Sequence, residues 1–367
     1  MHDVVIVGAG AAGVGVGVAL RHAGIDDIVL LDRGRVGESF ERWPDETRFI
    51  TPSFPTNSIG MLDLNSIAIG SSPAYSLRVE HPTGAEYASY LRLAVQHYRL
   101  AVGERTDVTS LRREGDAFRI GTLEGSLRAK HVIWAAGEFQ YPRLDMFAGA
   151  EHCVHTATVD RYRDLDGDEF VVIGGYESGL DAAAHLARAG KRVSVFDRGC
   201  PWRASSSDPS IAVSTYTLER MNEPSFVAGV ELHPDTPIAT VRRHHDGYVA
   251  VTATGEEYAT AVPPLLAGGF AGSHGLIADL FERRDDGFPL LSERDESTRT
   301  PGLFLCGPAV RHDHHVFCFI FKFRQRFAVV AKAIATALGH SAEVLEEYRQ
   351  WGMFLDDLSC CGQECAC

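Results

Sequence analysis

The sequence predicts an α/β protein built from two units of the same design, the second inserted into the first. Each unit contains a buried apolar strand, a glycine-rich turn, a helix and a second buried strand that ends at an acidic residue. The turns begin at Gly8 and Gly174, and the acidic residues are Asp32 and Asp197. The interval from glycine to acid is 24 positions in the first unit and 23 in the second, and this agreement supports the alignment of the two units.

Composition and charge restrict the class of protein. At 367 residues, with 45% hydrophobic and 23% charged residues, the chain has the size for two globular domains and a tail. The net charge of −14 argues against a surface that follows nucleic-acid phosphates, which needs clustered Lys and Arg. No apolar run approaches the roughly 20 residues of a membrane span, and no basic signal segment precedes the strand at Val4. We therefore expect a cytoplasmic protein with neither a nucleic-acid nor a membrane partner.

The first glycine-rich turn has each element of a dinucleotide fingerprint. Gly8 permits the tight turn, Gly10 lets the backbone approach a pyrophosphate, and Gly13 allows the helix to pack closely on the strand. The helix that follows offers free N–H groups and the positive end of its dipole to the phosphates. Asp32 stands where a carboxylate accepts the ribose hydroxyls. The alternative is a turn whose glycines serve packing alone.

Motifs along nearly the whole chain resemble the two-dinucleotide-binding-domain flavoproteins, which include thioredoxin reductases, bacillithiol-disulfide reductases and flavin-containing monooxygenases. Besides the first fingerprint, they are Trp43-Pro44 through Thr51-Pro52, Ala135 to Phe139 with Pro142, Gly174 to Ala183, Leu266 to Phe270, and Pro301 to Gly307. The resemblance implies an FAD-binding domain of residues 1–152 and 266–345 and an inserted NAD(P)-binding domain of residues 153–265. Residues 346–367 would form a C-terminal arm. The resemblance also allows a homodimer.

The resemblance implies where FAD lies. The expected FAD-binding residues are Gly8, Gly10, Gly13, Asp32, Arg33, Glu38, Ser39, Trp43, Arg48, Thr51, Ala136, Gly137 and Gly307. In the family the last strand usually ends in Gly-Asp, and the Asp holds the ribityl chain of FAD. Pro308 occupies that place here. We expect Gln325 to replace the Asp, because its helix would point its N-terminus at the flavin edge.

The second turn departs from the fingerprint. Tyr176 stands where the second glycine would let the backbone approach a pyrophosphate. The predicted nicotinamide site consists of Gly174, Gly175, Ser178, Gly179, Asp197 and Arg198. Asp197 favours NADH through a 2′-hydroxyl, whereas Arg198 and Arg203 suit the 2′-phosphate of NADPH, so the sequence leaves the choice of coenzyme open. The alternative is a degenerate repeat kept for packing.

Four of the eight cysteines crowd into the last eight residues, at Cys360, Cys361, Cys365 and Cys367. An arm with adjacent thiols resembles the terminal arms of mercuric reductase and of large thioredoxin reductases, where the arm carries electrons or a soft metal. Thiolates attack disulfides and bind soft ions, so we expect these four cysteines to be catalytic carriers. Two alternatives stay open: the four wrap one metal ion of unknown identity, or they are incidental.

Outside the C-terminal cysteines, the sequence offers few candidate redox or acid–base groups. The inserted unit contains no C-x-x-C, and Ala12 stands where bacillithiol-disulfide reductases carry their reactive Cys. Cys306 and Cys318 lie in the segment expected near the flavin, but their apolar neighbours favour inert buried thiols. The segment Arg311 to His315 offers acid–base groups or metal ligands, with ordinary loop structure as the alternative.

Together these features predict an FAD-dependent oxidoreductase that NADPH or NADH reduces. Its two electrons would pass to a small-molecule, disulfide, thiol-linked or soft-metal substrate through the C-terminal cysteines. One alternative is a flavin-containing monooxygenase, although Cys153 replaces the His of the monooxygenase motif that begins at Phe147. Another is a thiol oxidase that uses O₂ and no nicotinamide, an alternative motivated by Tyr176.

Overall fold

A computed structural model describes residues 1–206 and 208–359. The first part of the chain carries the glycine-rich turn and most of a large sheet. Its elements are β1 (His2–Val7), α1 (Ala11–His22), β2 (Ile28–Leu31), α2 (Glu38–Glu41), α3 (Pro73–Leu77), α4 (Gly84–His97), β3 (Ala101–Gly103), β4 (Val108–Glu114), β5 (Ala117–Thr122) and β6 (Gly125–Trp134).

The middle of the chain repeats the strand, turn, helix and strand arrangement in a second domain. Its elements are β7 (Val154–His155), β8 (Glu169–Ile173), α5 (Glu177–Arg188), β9 (Arg192–Phe196), α6 (Thr215–Met221), α7 (Pro224–Gly229), β10 (Val230–His233), β11 (Ile238–His244), β12 (Gly247–Thr252), β13 (Glu257–Thr260) and β14 (Leu265–Leu266).

The last part of the chain returns to the first domain. Its elements are β15 (Glu282–Arg283), β16 (Pro289–Leu290), β17 (Leu303–Leu305), β18 (Arg311–His312), β19 (His315–Val316), α8 (Ile320–Phe323) and α9 (Phe327–Leu338). A continuous helix over 322–338 is the expectation from the sequence, but a 3₁₀ turn at Arg324–Arg326 separates α8 from α9. The break has a physical cause, because Arg324 is buried and donates to the Asp63 and Ser66 carbonyls of a distant loop.

Two sheets position the turns. The first has the order β3-β2-β1-β6-β5-β4; its pairs are parallel from β3 to β6 and antiparallel from β6 to β4, and β17 pairs in parallel with the end of β6. The second has the order β10-β9-β8-β14-β7 and is parallel throughout. β11, β12 and β13 form a separate antiparallel sheet in the inserted domain. The predicted α/β fold with two Rossmann-type units is therefore confirmed.

Small residues bring α1 close to α9 in the core of the first domain. The last four residues of β1 are buried, as is α1 from Ala11 to Leu20. A Cβ added at Gly15 would lie 2.1 Å from the Phe327 ring of α9, so only glycine fits there. This packing fixes the start of α1, which immediately follows the first turn.

Buried and exposed contacts join the two domains. The Thr47 hydroxyl donates to the Asp181 carboxylate at 2.7 Å, and the Asp45 N–H donates to the Asp160 carbonyl at 2.9 Å. Arg161 also pairs with Asp45 at 2.5 Å. These contacts hold the loop after α2 against α5 and against the segment between β7 and β8.

The described part of the predicted arm packs on the body. A 3₁₀ helix covers Glu343–Trp351, and Met353 and Phe354 are buried. The four tail cysteines lie outside the described residues, so the cysteine-rich end of the arm stays a prediction. Within residues 1–206 and 208–359, none of the helices combines the length and apolar composition that crossing a membrane requires.

Candidate cofactor and active site

A cavity of about 490 Å³ runs from the first glycine-rich turn to the junction of the two domains. The first domain lines it with the turn, the end of β2 and the segments that follow β2 and β6. The inserted domain contributes the start of α5, and the returning chain contributes the residues just before α8. The cavity therefore lies at the carboxyl ends of parallel strands, the usual ligand position in such sheets.

Most of the residues expected to bind FAD line this cavity. They are Gly8, Gly10, Asp32, Arg33, Glu38, Ser39, Trp43, Arg48, Thr51, Ala136 and Gly137. Gly13 and Gly307 do not line it, although Pro308 does. Gln325 is not a lining residue either. Its side-chain amide donates to the Phe321 backbone carbonyl at 3.2 Å, and the backbone carbonyl of Gln325 accepts from the Leu355 N–H. The broken helix thus places Gln325 against Leu355 rather than in the cavity.

The first turn fits a dinucleotide. Gly8 has a φ of 109°, and a Cβ added there would lie 2.4 Å from the Ala135 carbonyl oxygen. A Cβ at Gly13 would lie 1.9 Å from the Gly8 carbonyl oxygen, so Gly13 serves helix packing. At Gly10 no heavy atom lies within 4 Å of the Cβ position. Because Gly10 lines the cavity, the space above its backbone suits a pyrophosphate.

Asp32 braces the first turn and faces the cavity. One carboxylate oxygen accepts from the Ala9 N–H at 2.7 Å, and the other accepts from the Gly34 N–H at 2.8 Å. Burial raises the pKa of Asp32, and the two backbone hydrogen bonds oppose that rise. Each oxygen keeps further acceptor capacity, so Asp32 can also accept the ribose hydroxyls.

The start of α1 is prepared for an anion. Gly10 is its N-cap and provides no side-chain acceptor, and the first turn contains no acidic residue. The first N–H groups of the helix therefore remain available to phosphate oxygens. Phe40, Trp43 and Phe49 form an aromatic cluster along the cavity, with ring centroids of Trp43 and Phe49 4.9 Å apart. This cluster gives the cavity an apolar wall.

The second turn has nearly the same backbone as the first. A Cβ at Gly179 would lie 1.7 Å from the Gly174 carbonyl oxygen, which repeats the packing seen at Gly13. Asp197 accepts from the Gly175 N–H at 2.7 Å and from the Gly199 N–H at 2.8 Å, as Asp32 does in the first turn. Tyr176 is the N-cap of α5 with φ −94° and ψ −165°, close to the −83° and −167° of Gly10.

Side chains of the inserted domain occupy the space above this second turn. A Cβ added at Gly175 would lie 2.4 Å from the Trp202 ring. The Tyr176 hydroxyl donates to the Pro209 and Ala212 carbonyls, and Glu177 places a carboxylate in the first turn of α5. Of the predicted nicotinamide site, Ser178 lines the large cavity, whereas the others do not: Gly174, Gly175, Gly179, Asp197 and Arg198. As folded, the second turn does not fit a pyrophosphate.

The domain junction contains polar side chains that the sequence interpretation did not assign to the site. Glu138 follows β6 and lines the cavity; burial raises its pKa, and the charge of Arg311 opposes that rise. Asp181 of α5 also lines the cavity and pairs with the buried guanidinium of Arg220. Two signals could have found them: Glu138 comes just after a parallel strand, and Asp181 and His185 lie one turn apart on a helix of small apolar residues.

Cys318 lines the cavity and is only partly buried. Its Sγ lies 3.0 Å from the Ser210 hydroxyl. Burial raises its pKa, against the Ser210 hydrogen bond and the positive charges of Lys322 and Arg311. Its apolar neighbours in sequence concealed this position, because Ser210 and Lys322 approach it through the tertiary fold.

The remaining cysteines and histidines have structural surroundings. Cys306 is buried, and burial raises its pKa well above the usual value. Burial likewise raises the pKa of Cys153 to about 12. His312 bonds to the buried Asp295 at 2.5 Å, and the His315 ring bonds to the Leu358 backbone. Between residues 1 and 359, Ser207 excepted, no group of three or more His, Cys, Asp and Glu side chains is arranged to hold a metal ion.

Comparisons with known proteins agree with this architecture. The family model described as pyridine nucleotide-disulphide oxidoreductase matches residues 5–307. A CzcO-like oxidoreductase from Geobacillus kaustophilus is 28% identical over 189 residues, which cover 50% of this chain and 51% of that protein. The chain thus spans about half the length of this relative.

Solved structures share the fold at lower identity. The bacillithiol disulfide reductase Bdr of Staphylococcus aureus has a TM-score of 0.73 at 20% identity, covering 92% of this chain and 98% of its own. The ornithine N-hydroxylase of Kutzneria sp. 744 also has a TM-score of 0.73, at 17% identity, covering 92% and 100%. A disulfide reductase and an N-hydroxylase are therefore equally similar to this chain in fold.

Proposed function

This chain belongs to the pyridine nucleotide-disulphide oxidoreductase family, and we propose that it is an FAD enzyme reduced by NAD(P)H. Its electrons would pass to a disulfide, thiol-linked or soft-metal substrate. The observation that carries the proposal is the single cavity that reaches from Gly10 to Cys318 across the domain junction. It joins a pyrophosphate position to groups capable of proton and thiol chemistry.

Bound FAD would supply the two-electron carrier. The chain's own groups have separable roles around it. Gly10 and the start of α1 would hold the pyrophosphate, and Asp32 would accept the ribose hydroxyls. The aromatic cluster of Phe40, Trp43 and Phe49 excludes water. Glu138 holds a proton at its carboxyl group more readily than an exposed Glu does, because burial raises its pKa.

The path of the last described residues supports the tail as the carrier. The Leu355 N–H donates to the Gln325 carbonyl at 3.0 Å, and the Leu358 backbone bonds to His315. His315 is three residues from Cys318 in the cavity wall. The last described residues therefore pack beside the segment that carries Cys318.

The proposed reaction balances with two tail thiols. One tail thiolate attacks the substrate disulfide, forms a mixed disulfide and releases one substrate thiol. A second tail thiolate breaks the mixed disulfide and releases the other substrate thiol, which leaves a tail disulfide. Reduction of the tail disulfide needs two electrons and two protons, which NAD(P)H (a hydride) and one solvent proton would supply.

The first test is anaerobic mixing of the FAD-loaded protein with NADPH or NADH while the flavin band near ~450 nm is recorded. We expect bleaching by at least one coenzyme. Deletion of residues 360–367 should leave bleaching unchanged and abolish disulfide reduction, whereas the control Cys153→Ala should retain both. Full disulfide reduction by the deleted protein would refute the tail as carrier.

A thiol oxidase is the second candidate, because Trp202 and Tyr176 fill the space that a nicotinamide coenzyme needs. In that reaction two substrate thiols lose two electrons and two protons to form a disulfide, and O₂ takes both to form hydrogen peroxide. Bleaching by dithiols but by neither coenzyme, even after prolonged incubation, would favour the oxidase over the reductase.

A further inference from the structure

The inserted domain carries a segment that crosses its own nucleotide turn. We define the strap as residues 199–206 and 208–214, between β9 and α6. Trp202 of the strap lies against the Gly175 backbone, next to Asp197, whose Cβ is 3.0 Å from the position of a Cβ on Gly175. In a dinucleotide site the turn backbone and this acidic residue face the pyrophosphate and the adenosine ribose. Trp202 therefore lies beside the acidic residue where the adenosine ribose would bind, and Tyr176 carries a side chain at the position that Gly10 leaves open in the first turn.

The strap is fastened to the turn by hydrogen bonds. The Tyr176 hydroxyl donates to the Pro209 carbonyl and, at 3.1 Å, to the Ala212 carbonyl. The Ser214 N–H donates to the Glu177 carboxylate at 2.5 Å. Burial raises the pKa of Glu177, and the bonds from Thr217 and Ser214 oppose that rise. The first residue of α5 is therefore bound to the end of the strap and to the start of α6.

The other side of the strap is fastened to the wall of the flavin cavity. Lys322 of α8 is buried and pairs with Asp208 at 2.6 Å and with Ser210 at 2.9 Å. Ser210 also bonds to Cys318, which lines the cavity. The strap thus extends from the second nucleotide turn to the place where electrons would enter a flavin.

We propose that the strap closes the inserted domain to NAD(P)H and that the coenzyme binds only when the strap lifts from Gly175 and Tyr176. The inference rests on the proposed NAD(P)H-driven reaction and adds a condition to it. When a site is open only part of the time, the apparent Kd of its ligand equals the intrinsic Kd divided by the open fraction. A smaller open fraction therefore means weaker binding. Each strap contact that is removed should therefore tighten coenzyme binding.

Two variants test the strap from independent sides. Tyr176→Phe removes both hydroxyl bonds and keeps the ring, and Trp202→Ala removes the ring from Gly175. Tyr248→Phe, in the antiparallel sheet of the same domain, is the matched control. With FAD-loaded proteins, equilibrium dialysis gives the Kd of NADPH and of NADH. We expect each strap variant to bind one coenzyme about tenfold more tightly, equivalent to about 1.4 kcal/mol, and the control to bind as the unaltered protein does.

Hydrogen exchange of the unaltered protein supplies a second measurement that needs no variant. The Ile211 and Ala212 N–H groups both donate to the Asp208 carbonyl, so these amides report whether the strap is folded. Saturating coenzyme should reduce their protection several-fold. The strap proposal is wrong if all the proteins have equal Kd values for the coenzyme. It is also wrong if the strap variants do not bind coenzyme, or if coenzyme binds without changing the protection of these two amides.

Failure of the proposed function looks different. If coenzyme binds with the expected changes in Kd and protection but never bleaches the flavin, the strap proposal survives and the NAD(P)H-driven reaction fails. If all proteins bleach equally fast at equal coenzyme concentrations and have equal Kd values, the reaction stands and the strap proposal fails.

Discussion

The two glycine-rich turns share a backbone but differ in what lies above it. Gly10 and Tyr176 are both helix N-caps with nearly equal φ and ψ, and Asp32 and Asp197 brace their turns through equivalent pairs of N–H groups. Above Gly10 is open cavity, whereas the equivalent Tyr176 carries a side chain of its own and Trp202 lies against Gly175, the counterpart of Ala9. Glycine spacing therefore fixes the shape of the turn, and the residues around it decide whether a dinucleotide can enter.

The helices that follow the two turns also differ in what their first residues contact. The first turn of α1 contains no acidic residue, whereas α5 begins with Glu177. One turn further along, Gly15 of α1 packs against the Phe327 ring, and the corresponding residue of α5 is Asp181, which pairs with Arg220 and Thr47. The first helix thus serves a cofactor and an apolar core, while the second serves contacts within the inserted domain and across the junction.

The largest expected effect comes from closing the open space in the first turn. Gly10→Val should weaken FAD binding at least about a thousandfold, or about 4 kcal/mol, because its side chain would enter the pyrophosphate position. The matched change Tyr176→Val should leave FAD content unaltered, since Tyr176 does not line the cavity. Flavin absorbance per protein and FAD titration of the apoprotein measure both. A Gly10→Val protein that purifies with full FAD would contradict the assignment of the first turn.

The second effect concerns the buried charge pair of α5. Arg220→Met removes the guanidinium from Asp181, and both side chains are buried. Asp181 keeps its contacts with Thr47 and His185, and loss of the guanidinium from this buried carboxylate should lower the free energy of unfolding by about 3 kcal/mol. Gly15→Ala provides the comparison in α1, where the clash with Phe327 should destabilise through packing alone. Urea unfolding at neutral pH measures the loss in both variants.

The pH dependence of the free energy of unfolding separates the loss of a charge partner in Arg220→Met from the packing clash in Gly15→Ala. Burial raises the pKa of Asp181, but His185 and Arg220 outweigh it and leave the pKa lowered. The stabilisation from Asp181 is therefore fully present above its unfolded pKa of about 4 and is lost as the pH falls through the lower folded value. The deficit of Arg220→Met relative to the unaltered protein should shrink below about pH 4. A deficit that stays constant down to pH 2 would argue against a charge effect.

The sequence predicts what local spacing determines. The first fingerprint, the buried strands and Asp32 are correctly located because each depends on neighbours within about 25 positions, the reach of one strand-turn-helix-strand unit. Trp202 over Gly175 and the Thr47 to Asp181 bond depend on tertiary folding between separate segments. Gln325 was expected at the flavin, but the helix break that redirects it depends on a loop contacted by Arg324. The periodicity of apolar residues in the sequence does not predict contacts between such distant segments.

The smallest expected effect compares the two acidic residues directly. Asp32→Ala and Asp197→Ala each remove a carboxylate that accepts two backbone N–H groups, so both should lower the free energy of unfolding of the apoprotein by about 1–3 kcal/mol. Only Asp32 lines the cavity, so only Asp32→Ala should weaken FAD binding, by about tenfold or about 1.4 kcal/mol. Unfolding of the apoprotein measures the structural loss that the two variants share, and FAD titration measures the loss of the ribose contact. Equal loss of FAD affinity in both variants would mean that the acid acts by bracing the fold, and that the two turns differ less than their surroundings indicate.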